Sequence, residues 1–197
     1  MSGMAGSEER QTARAAVRLT YDDFVHFPDD GKRHELIDGE HYVTPSPNIR
    51  HQGILGNLYL LIANWLEEHP IGRVFLSPLD VVLSHFDIVE PDLLYLSNER
   101  ATQAITPLHV RGVPELVAEI ASKSTRKRDE TIKRRLYERS GVSEYWVVDP
   151  AIDVVRVYRR EGDRLSRPQE LSREASDVLT TSLLPGLKLP LTRIFRE

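Results

Sequence analysis

The chain has 197 residues, of which 40% are hydrophobic and 28% charged, a composition that suits one globular domain with its own core. It contains no cysteine, which excludes disulfides, thiolate metal sites and a cysteine nucleophile, so a bound metal must use oxygen or imidazole ligands. The net charge of −4 is unlike that of a dedicated nucleic-acid binder with a uniformly basic surface.

The N-terminal residues are small, polar and charged, and we expect a flexible segment over 1–17 followed by a single domain over 18–197. The segment lacks the apolar core and cleavage-like site of a secretory signal, and no stretch approaches the length of a membrane span. We therefore expect a cytoplasmic protein that does not contact a membrane.

Hydrophobic periodicity and turn signals predict the elements in chain order. Thr20 is a plausible cap for a short helix, and the Asp38-Gly39 turn signal predicts a β-hairpin around it. Helices are predicted over 48–68, where apolar residues recur at helical spacing, and over 125–140. Strands are predicted over 73–76, 80–83, 92–96, 115–121, 144–148 and 153–158.

After the hairpin, the core order is helix, three strands, helix, strand, with a fourth strand before the second helix and one further strand at the end. This order favours an α/β fold in which helices cover both faces of a mixed central sheet, with the hairpin as an N-terminal extension. The stretch after 96, through Pro107, is predicted to be a connecting loop. The part beyond 158 is predicted to be loop and edge strand.

Two carboxylates fall within apolar strands. Asp92 follows a proline at the start of a buried run, where a carboxylate loses hydration unless it is paired, although a turn or capping aspartate is the more common explanation of a lone Pro-Asp step. Glu119 has only apolar neighbours, and strand alternation places Val117, Glu119 and Ala121 on one face. An acidic group there favours a cation partner, with a structural ion pair or a solvent-facing edge as the alternative.

The second helix carries two charges on its inward side. Asp129 and Lys133 share the stripe of the apolar residues around them, which indicates a buried pair of charges or, alternatively, an exposed intrahelical pair. Because the helix follows the Glu119 strand after a short turn, Lys133 could reach Glu119. Glu35 in the hairpin could add a carboxylate, whereas His51 is better explained by local hydrogen bonds at a helix end.

Several separate motifs, in order, resemble those of the Uma-two-type restriction endonucleases, a family of the PD-(D/E)xK nuclease superfamily. The resemblance covers roughly residues 18–195 and implies a restriction-endonuclease-like core with the αβββαβ order. The motifs are the run 34–40, the Pro91-Asp92-Leu93 step, the run 119–125, Asp129, Lys133, Tyr137 and the run 141–150.

The resemblance also implies roles for individual residues. Asp92 and Glu119 would be the paired metal-binding carboxylates, with Glu35 as a supporting acidic residue. The superfamily lysine usually lies two residues after the glutamate, where this chain has Ala121, and the family pattern places it at Lys133 instead. Lys123 stands where the family commonly has proline, so it is a rival for the catalytic lysine.

These observations predict a metal-dependent endonuclease that hydrolyses phosphodiester bonds in DNA. Asp92, Glu119 and the backbone carbonyl of Ile120 would hold Mg²⁺, or Mn²⁺ in its place, and Lys133 would orient or help deprotonate the attacking water. A homodimer would present two sites to two strands. A basic strip that could contact the phosphate backbone comprises Lys123, Arg126, Lys127 and Arg128.

Two alternatives remain open at the level of sequence. The chain could be a catalytically silent protein that keeps the nuclease fold for DNA binding or assembly, since a fold alone does not establish activity. It could also hydrolyse another phosphodiester, such as RNA or a nucleotide. The basic strip, for its part, could be no more than a solvated helix face.

Overall fold

The computed structural model describes residues 17–122 and 124–196. The predicted contact residue Lys123, and nearly all of the predicted flexible segment 1–17, lie outside these ranges. The helices are α1 (Tyr21–Phe24), α2 (Ile49–Glu68), α3 (Asn98–Ala104), α4 (Arg126–Arg128), α5 (Arg134–Ser140) and α6 (Leu191–Ile194), with a π-helical segment, Asp129–Lys133, between α4 and α5.

The strands lie between these helices, singly or in consecutive groups. They are β1 (Arg33–Ile37), β2 (Glu40–Thr44), β3 (Gly72–Leu76), β4 (Val81–Ser84), β5 (Asp87–Val89), β6 (Leu93–Ser97), β7 (Val110–Arg111), β8 (Leu116–Ile120), β9 (Glu144–Asp149), β10 (Val154–Glu161), β11 (Arg164–Leu165), β12 (Gln169–Ser172), β13 (Val178–Leu179) and β14 (Leu189–Pro190).

The larger sheet is mixed and contains the centre of the fold. Its strand order is β11-β10-β9-β8-β6-β3, with β12 paired to β10. Strand β8 is antiparallel to β6 and parallel to β9, which confirms the predicted mixed sheet flanked by helices. A second sheet has the order β2-β1-β5-β4-β7, and β13 pairs with β14.

Two details differ from the prediction. The three strands expected in succession do not share a sheet, because β4 turns back on β5 and joins the hairpin sheet. The stretch expected to be a loop before Pro107 contains α3, whose start is capped by the Ser97 side chain. Alternation and turn signals identify strands, but they do not identify which strand each one pairs with.

The core lies on both faces of the larger sheet. On one face, Leu58 and Ile62 of α2 belong to the same cluster as Ala118 of β8. On the other face, Val117 of β8 is clustered with Tyr137 of α5. The predicted alternation in β8 therefore matches the two-sided packing. None of the helices within the described ranges is long and apolar enough to cross a bilayer.

Candidate active site

Asp92, directly before β6, and Glu119, within β8, meet where these two strands lie side by side. Leu93 pairs with Ala118, and this register places Asp92 next to the end of β8. The backbone N–H of Ile120 donates to Asp92 Oδ2 at 2.8 Å. Asp92 and Glu119 are only 2% and 3% exposed, and both line one cavity of about 580 Å³.

Lys133 reaches the same cavity from the π-helical segment after β8. Its Nζ donates to Glu119 Oε1 at 2.8 Å and lies 2.7 Å from Glu35 Oε1. Tyr137 Oη donates to the same Glu119 oxygen at 2.7 Å. Glu119 Oε1 is thus fixed by two donors one helical turn apart.

The π-helical turn also buries Asp129, which is 2% exposed and lines the cavity. Tyr145 Oη donates to the backbone carbonyl of Asp129 at 3.1 Å. Single π-helical turns are frequent at functional sites, because they turn side chains away from the regular helical stripe. Both charges of the inward stripe, Asp129 and Lys133, are therefore buried in the structure.

Glu35 of β1 lies behind Lys133, outside the group of residues that line the cavity. Its Oε1 accepts a hydrogen bond from the Glu90 backbone N–H at 3.1 Å, and Arg128 Nη2 lies 3.6 Å from its Oε2. This placement makes Glu35 a support for the lysine rather than a group that faces the cavity.

Sequence reasoning missed two partners of Asp92. Arg33 Nη1 donates to Asp92 Oδ1 at 2.6 Å, and His51 Nε2 lies 3.0 Å from Asp92 Oδ2. The backbone N–H of His51 does bond the Asn48 cap, as a helix-end residue would, but its ring belongs to the site.

Sequence periodicity could have indicated that both missed residues face the interior. Arg33 is two residues from Glu35, so strand alternation places them on one face of β1. His51 precedes Ile54, Leu55 and Leu58 at helical spacing, on the buried stripe of α2.

The electrostatics of the site follow from burial and from the crowding of carboxylates. Burial raises the pKa of Asp92, but the His51 hydrogen bond and the charges of His51 and Arg33 more than offset this and lower that pKa to about 2. Burial raises the pKa of Glu119, and nearby carboxylates raise it further against the effect of Lys133. Burial lowers the pKa of Lys133, but Glu119 and Glu35 raise it above its ordinary value. Lys133 is therefore an ammonium ion in an acidic cluster.

The donor set can be tested for its fit to a divalent cation. No hydrogen bond from the described residues reaches Glu119 Oε2, whereas both oxygens of Asp92 are engaged. Within 17–122 and 124–196, no group of three or more His, Asp or Glu side chains could hold a metal ion. The two carboxylates and the carbonyl of Ile120 are oxygen donors of the kind that Mg²⁺ prefers, and Arg33 would compete with an ion for Asp92.

The basic residues after β8 are partly engaged within the protein. Arg126 and Arg128 line the cavity, but Arg126 Nη2 lies 2.6 Å from Asp149 Oδ1 and Arg128 Nη2 donates to Thr44 Oγ1 at 2.6 Å. Lys127 is exposed and forms no ion pair with another residue of the described ranges. The strip therefore combines two anchored guanidiniums at the cavity with one exposed ammonium.

Comparisons with known proteins agree with this architecture. Residues 21–192 match the model of a family named Uma2, described as "Putative restriction endonuclease". Among solved structures, the chain resembles a "putative nuclease belonging to DUF820 from Anabaena variabilis ATCC 29413" with a TM-score of 0.76 and 20% identity, covering 90% of this chain and 97% of that one. No curated protein matches the chain.

Proposed function

The chain belongs to the Uma2 family of restriction endonucleases, and from that premise we propose that it is a metal-dependent endonuclease that hydrolyses phosphodiester bonds in DNA. The observation that carries the proposal is the meeting of Asp92, Glu119 and Lys133 at one cavity, from two strands and one helix. Phosphodiester cleavage needs a cation at the phosphate, a positioned water and relief of charge on the leaving oxygen. These three side chains supply groups for each need.

The carboxylates and one carbonyl would hold the metal. Asp92, Glu119 and the Ile120 carbonyl would bind Mg²⁺, or Mn²⁺ in its place, and the ion would supply Lewis-acid polarisation of the phosphate. Glu119 is well suited to this role, because Lys133 and Tyr137 hold its Oε1 and leave Oε2 for a ligand.

Lys133 acts as a hydrogen-bond donor rather than a proton acceptor. Its ammonium is held by Glu119 and Glu35, which favour the charged form. From this position it orients the attacking water and offsets negative charge that grows on the phosphate. Glu35 positions the ammonium without touching the substrate.

DNA would approach the cavity from the side of α4. Arg126, Arg128 and Arg50 line the cavity, and Lys127 is exposed beside it, so the phosphate backbone meets positive charge without base-specific contacts. Such contact depends on salt and is largely independent of sequence. We further propose a homodimer that presents two cavities to the two strands, acting in the cytoplasm.

Nicking of supercoiled plasmid DNA in Mg²⁺ or Mn²⁺ tests the proposal. We expect nicking by the wild type, no nicking in the chelator EDTA, and loss in Glu119→Gln, Glu119→Ala and Lys133→Ala. The exposed residues Glu68 and Lys188 offer matched controls, so Glu68→Gln and Lys188→Ala should cut normally.

Other outcomes would redirect the assignment. A wild type that binds DNA but cuts neither DNA, RNA nor a small diester supports a silent binding or assembly protein. Cleavage confined to RNA or to small diesters would change the proposed substrate and leave the proposed phosphodiester hydrolysis in place. Nicking that survives in Glu119→Gln would contradict the site itself.

A further inference from the structure

The Arg33 guanidinium pairs with Asp92, one of the two carboxylates that would hold the metal ion. Its Nη1 lies 2.6 Å from Asp92 Oδ1, and its side chain is 18% exposed against 3% for that of Asp92. The charges of Glu119 and Glu35 also act on this guanidinium. Arg33 therefore stands within reach of the carboxylates of the candidate metal site.

A hard divalent ion and the Arg33 guanidinium would compete for Asp92. Asp92 Oδ1 accepts a hydrogen bond from Arg33, so a divalent ion bound to that oxygen would lie against the guanidinium, and the two cations repel one another. The other oxygen, Oδ2, is already engaged by His51 and the Ile120 N–H. Metal binding through Asp92 is thus opposed by Arg33 in its present position, and movement of the guanidinium would relieve the repulsion.

Arg33 is held in a way that permits movement. The Asp92 carboxylate is its only side-chain hydrogen-bond partner within the described ranges, and its Nε is buried without an acceptor. A guanidinium has five N–H donors, and one of those of Arg33 bonds another described residue. The present position therefore leaves its Nε without an acceptor among the described residues.

A second cavity offers another position for the Arg33 side chain. This cavity, of about 490 Å³, shares Arg33 and the segment 44–47 with the first one, and it is lined by Asp80 and Glu90. Glu90 is only 8% exposed, and no described residue forms a hydrogen bond or ion pair with its carboxylate. Asp92 lines only the first cavity and Glu90 only the second, so Arg33 stands between two carboxylates.

We propose that Arg33 is an internal cation that holds Asp92 in the metal-free protein and turns to Glu90 when a divalent ion binds. The inference rests on the metal site of the proposed function and adds a competitor to it. Its consequence is that metal affinity depends on an equilibrium between two arginine positions as well as on the ligands.

Calorimetric titration with Mn²⁺, without DNA, tests the exchange. We expect Arg33→Ala to lower the dissociation constant about tenfold or more, because a close competing charge is removed. Glu90→Gln should raise it about threefold or more, because the second arginine position loses its partner. Arg33→Met keeps most of the apolar stem and repeats the test if Arg33→Ala folds poorly.

A double-mutant cycle separates the exchange from a general effect of charge. If Arg33 moves to Glu90, adding Glu90→Gln to Arg33→Ala should change the Mn²⁺ affinity very little, since no arginine remains to be received. Lys32→Ala is the matched control: Lys32 is exposed and paired with Asp30, so its loss should change the affinity by less than about twofold.

The outcomes separate this inference from the nuclease proposal. Unchanged or weaker Mn²⁺ binding in both Arg33 variants overturns the exchange. The exchange is also overturned if neither the wild type nor any variant binds Mn²⁺. If plasmid nicking still depends on Glu119, the nuclease proposal survives that result. If the Arg33 variants bind Mn²⁺ more tightly but no form of the protein cleaves a phosphodiester, the exchange is supported and the nuclease proposal is contradicted.

Discussion

Replacing Lys133 by methionine removes the buried ammonium while keeping an unbranched side chain of similar length. The change leaves two buried carboxylates, Glu119 and Glu35, without the cation that lies 2.8 and 2.7 Å from them. Removing one partner of a buried ion pair costs about 3–5 kcal/mol, since the remaining charge is uncompensated. We expect Lys133→Met to lose about that much unfolding free energy and all plasmid nicking.

A second substitution tests the cause of this loss. Glu35→Gln removes one of the two carboxylates that lose their ammonium partner, so the combination with Lys133→Met should recover about 1–3 kcal/mol relative to Lys133→Met alone. Nicking should not return, because the ammonium at the cavity is still missing. The double variant would therefore regain unfolding free energy without regaining nicking activity.

Urea denaturation followed by circular dichroism measures the stabilities, and plasmid nicking in Mg²⁺ measures the activity. The control is Lys127→Met, an exposed neighbour on the same helical stretch, which should stay within about 0.5 kcal/mol of the wild type. A loss below about 1 kcal/mol in Lys133→Met, or no recovery in the double variant, would show that Lys133 does not compensate buried carboxylates.

Two further predictions concern neighbouring groups. Tyr137→Phe removes the hydroxyl that bonds Glu119 Oε1, so it should cost about 1.5–3 kcal/mol in urea denaturation and slow nicking less than Glu119→Gln does. Burial raises the pKa of Asp80, so its contribution to stability is full below pH 3.8 and is lost as the pH rises through the raised pKa. Asp80→Asn should therefore be more stable than the wild type at pH 8, by a margin that shrinks toward pH 4; equal margins at both values would contradict this account.

Local signals in the sequence predicted the elements that carry the site. Apolar spacing predicted a helix over 48–68, and α2 spans Ile49–Glu68. The Asp38-Gly39 signal predicted the hairpin turn, where both residues have the positive φ angles that such a turn requires. Alternation in β8 also identified Glu119 as an acidic group on a buried face. Each of these signals lies within a few residues of the feature it predicts.

The parts that sequence did not predict depend on distant pairs. Arg33 and Asp92 are 59 positions apart, and His51 and Asp92 are 41 apart. Periodicity shows which face a residue occupies, but not which strand or helix lies opposite that face. The pairing of β4 with the hairpin sheet was missed for the same reason, and with it the second cavity beside Arg33.

The position of the lysine shows how the same charge can reach the cavity from a different element. Ala121, where the superfamily usually has its lysine, is 4% exposed and packs with Val117 on the face that also carries Glu119. A small side chain there leaves room above the strand, and the π-helical turn places the Lys133 ammonium on Glu119 across that space. The proposed chemistry requires a positive charge beside the glutamate and the phosphate, whichever backbone element supplies it. Lys133 is therefore expected to do from a helix what a strand lysine does elsewhere, at the cost of needing Glu35 and Tyr137 to hold the longer arrangement in place.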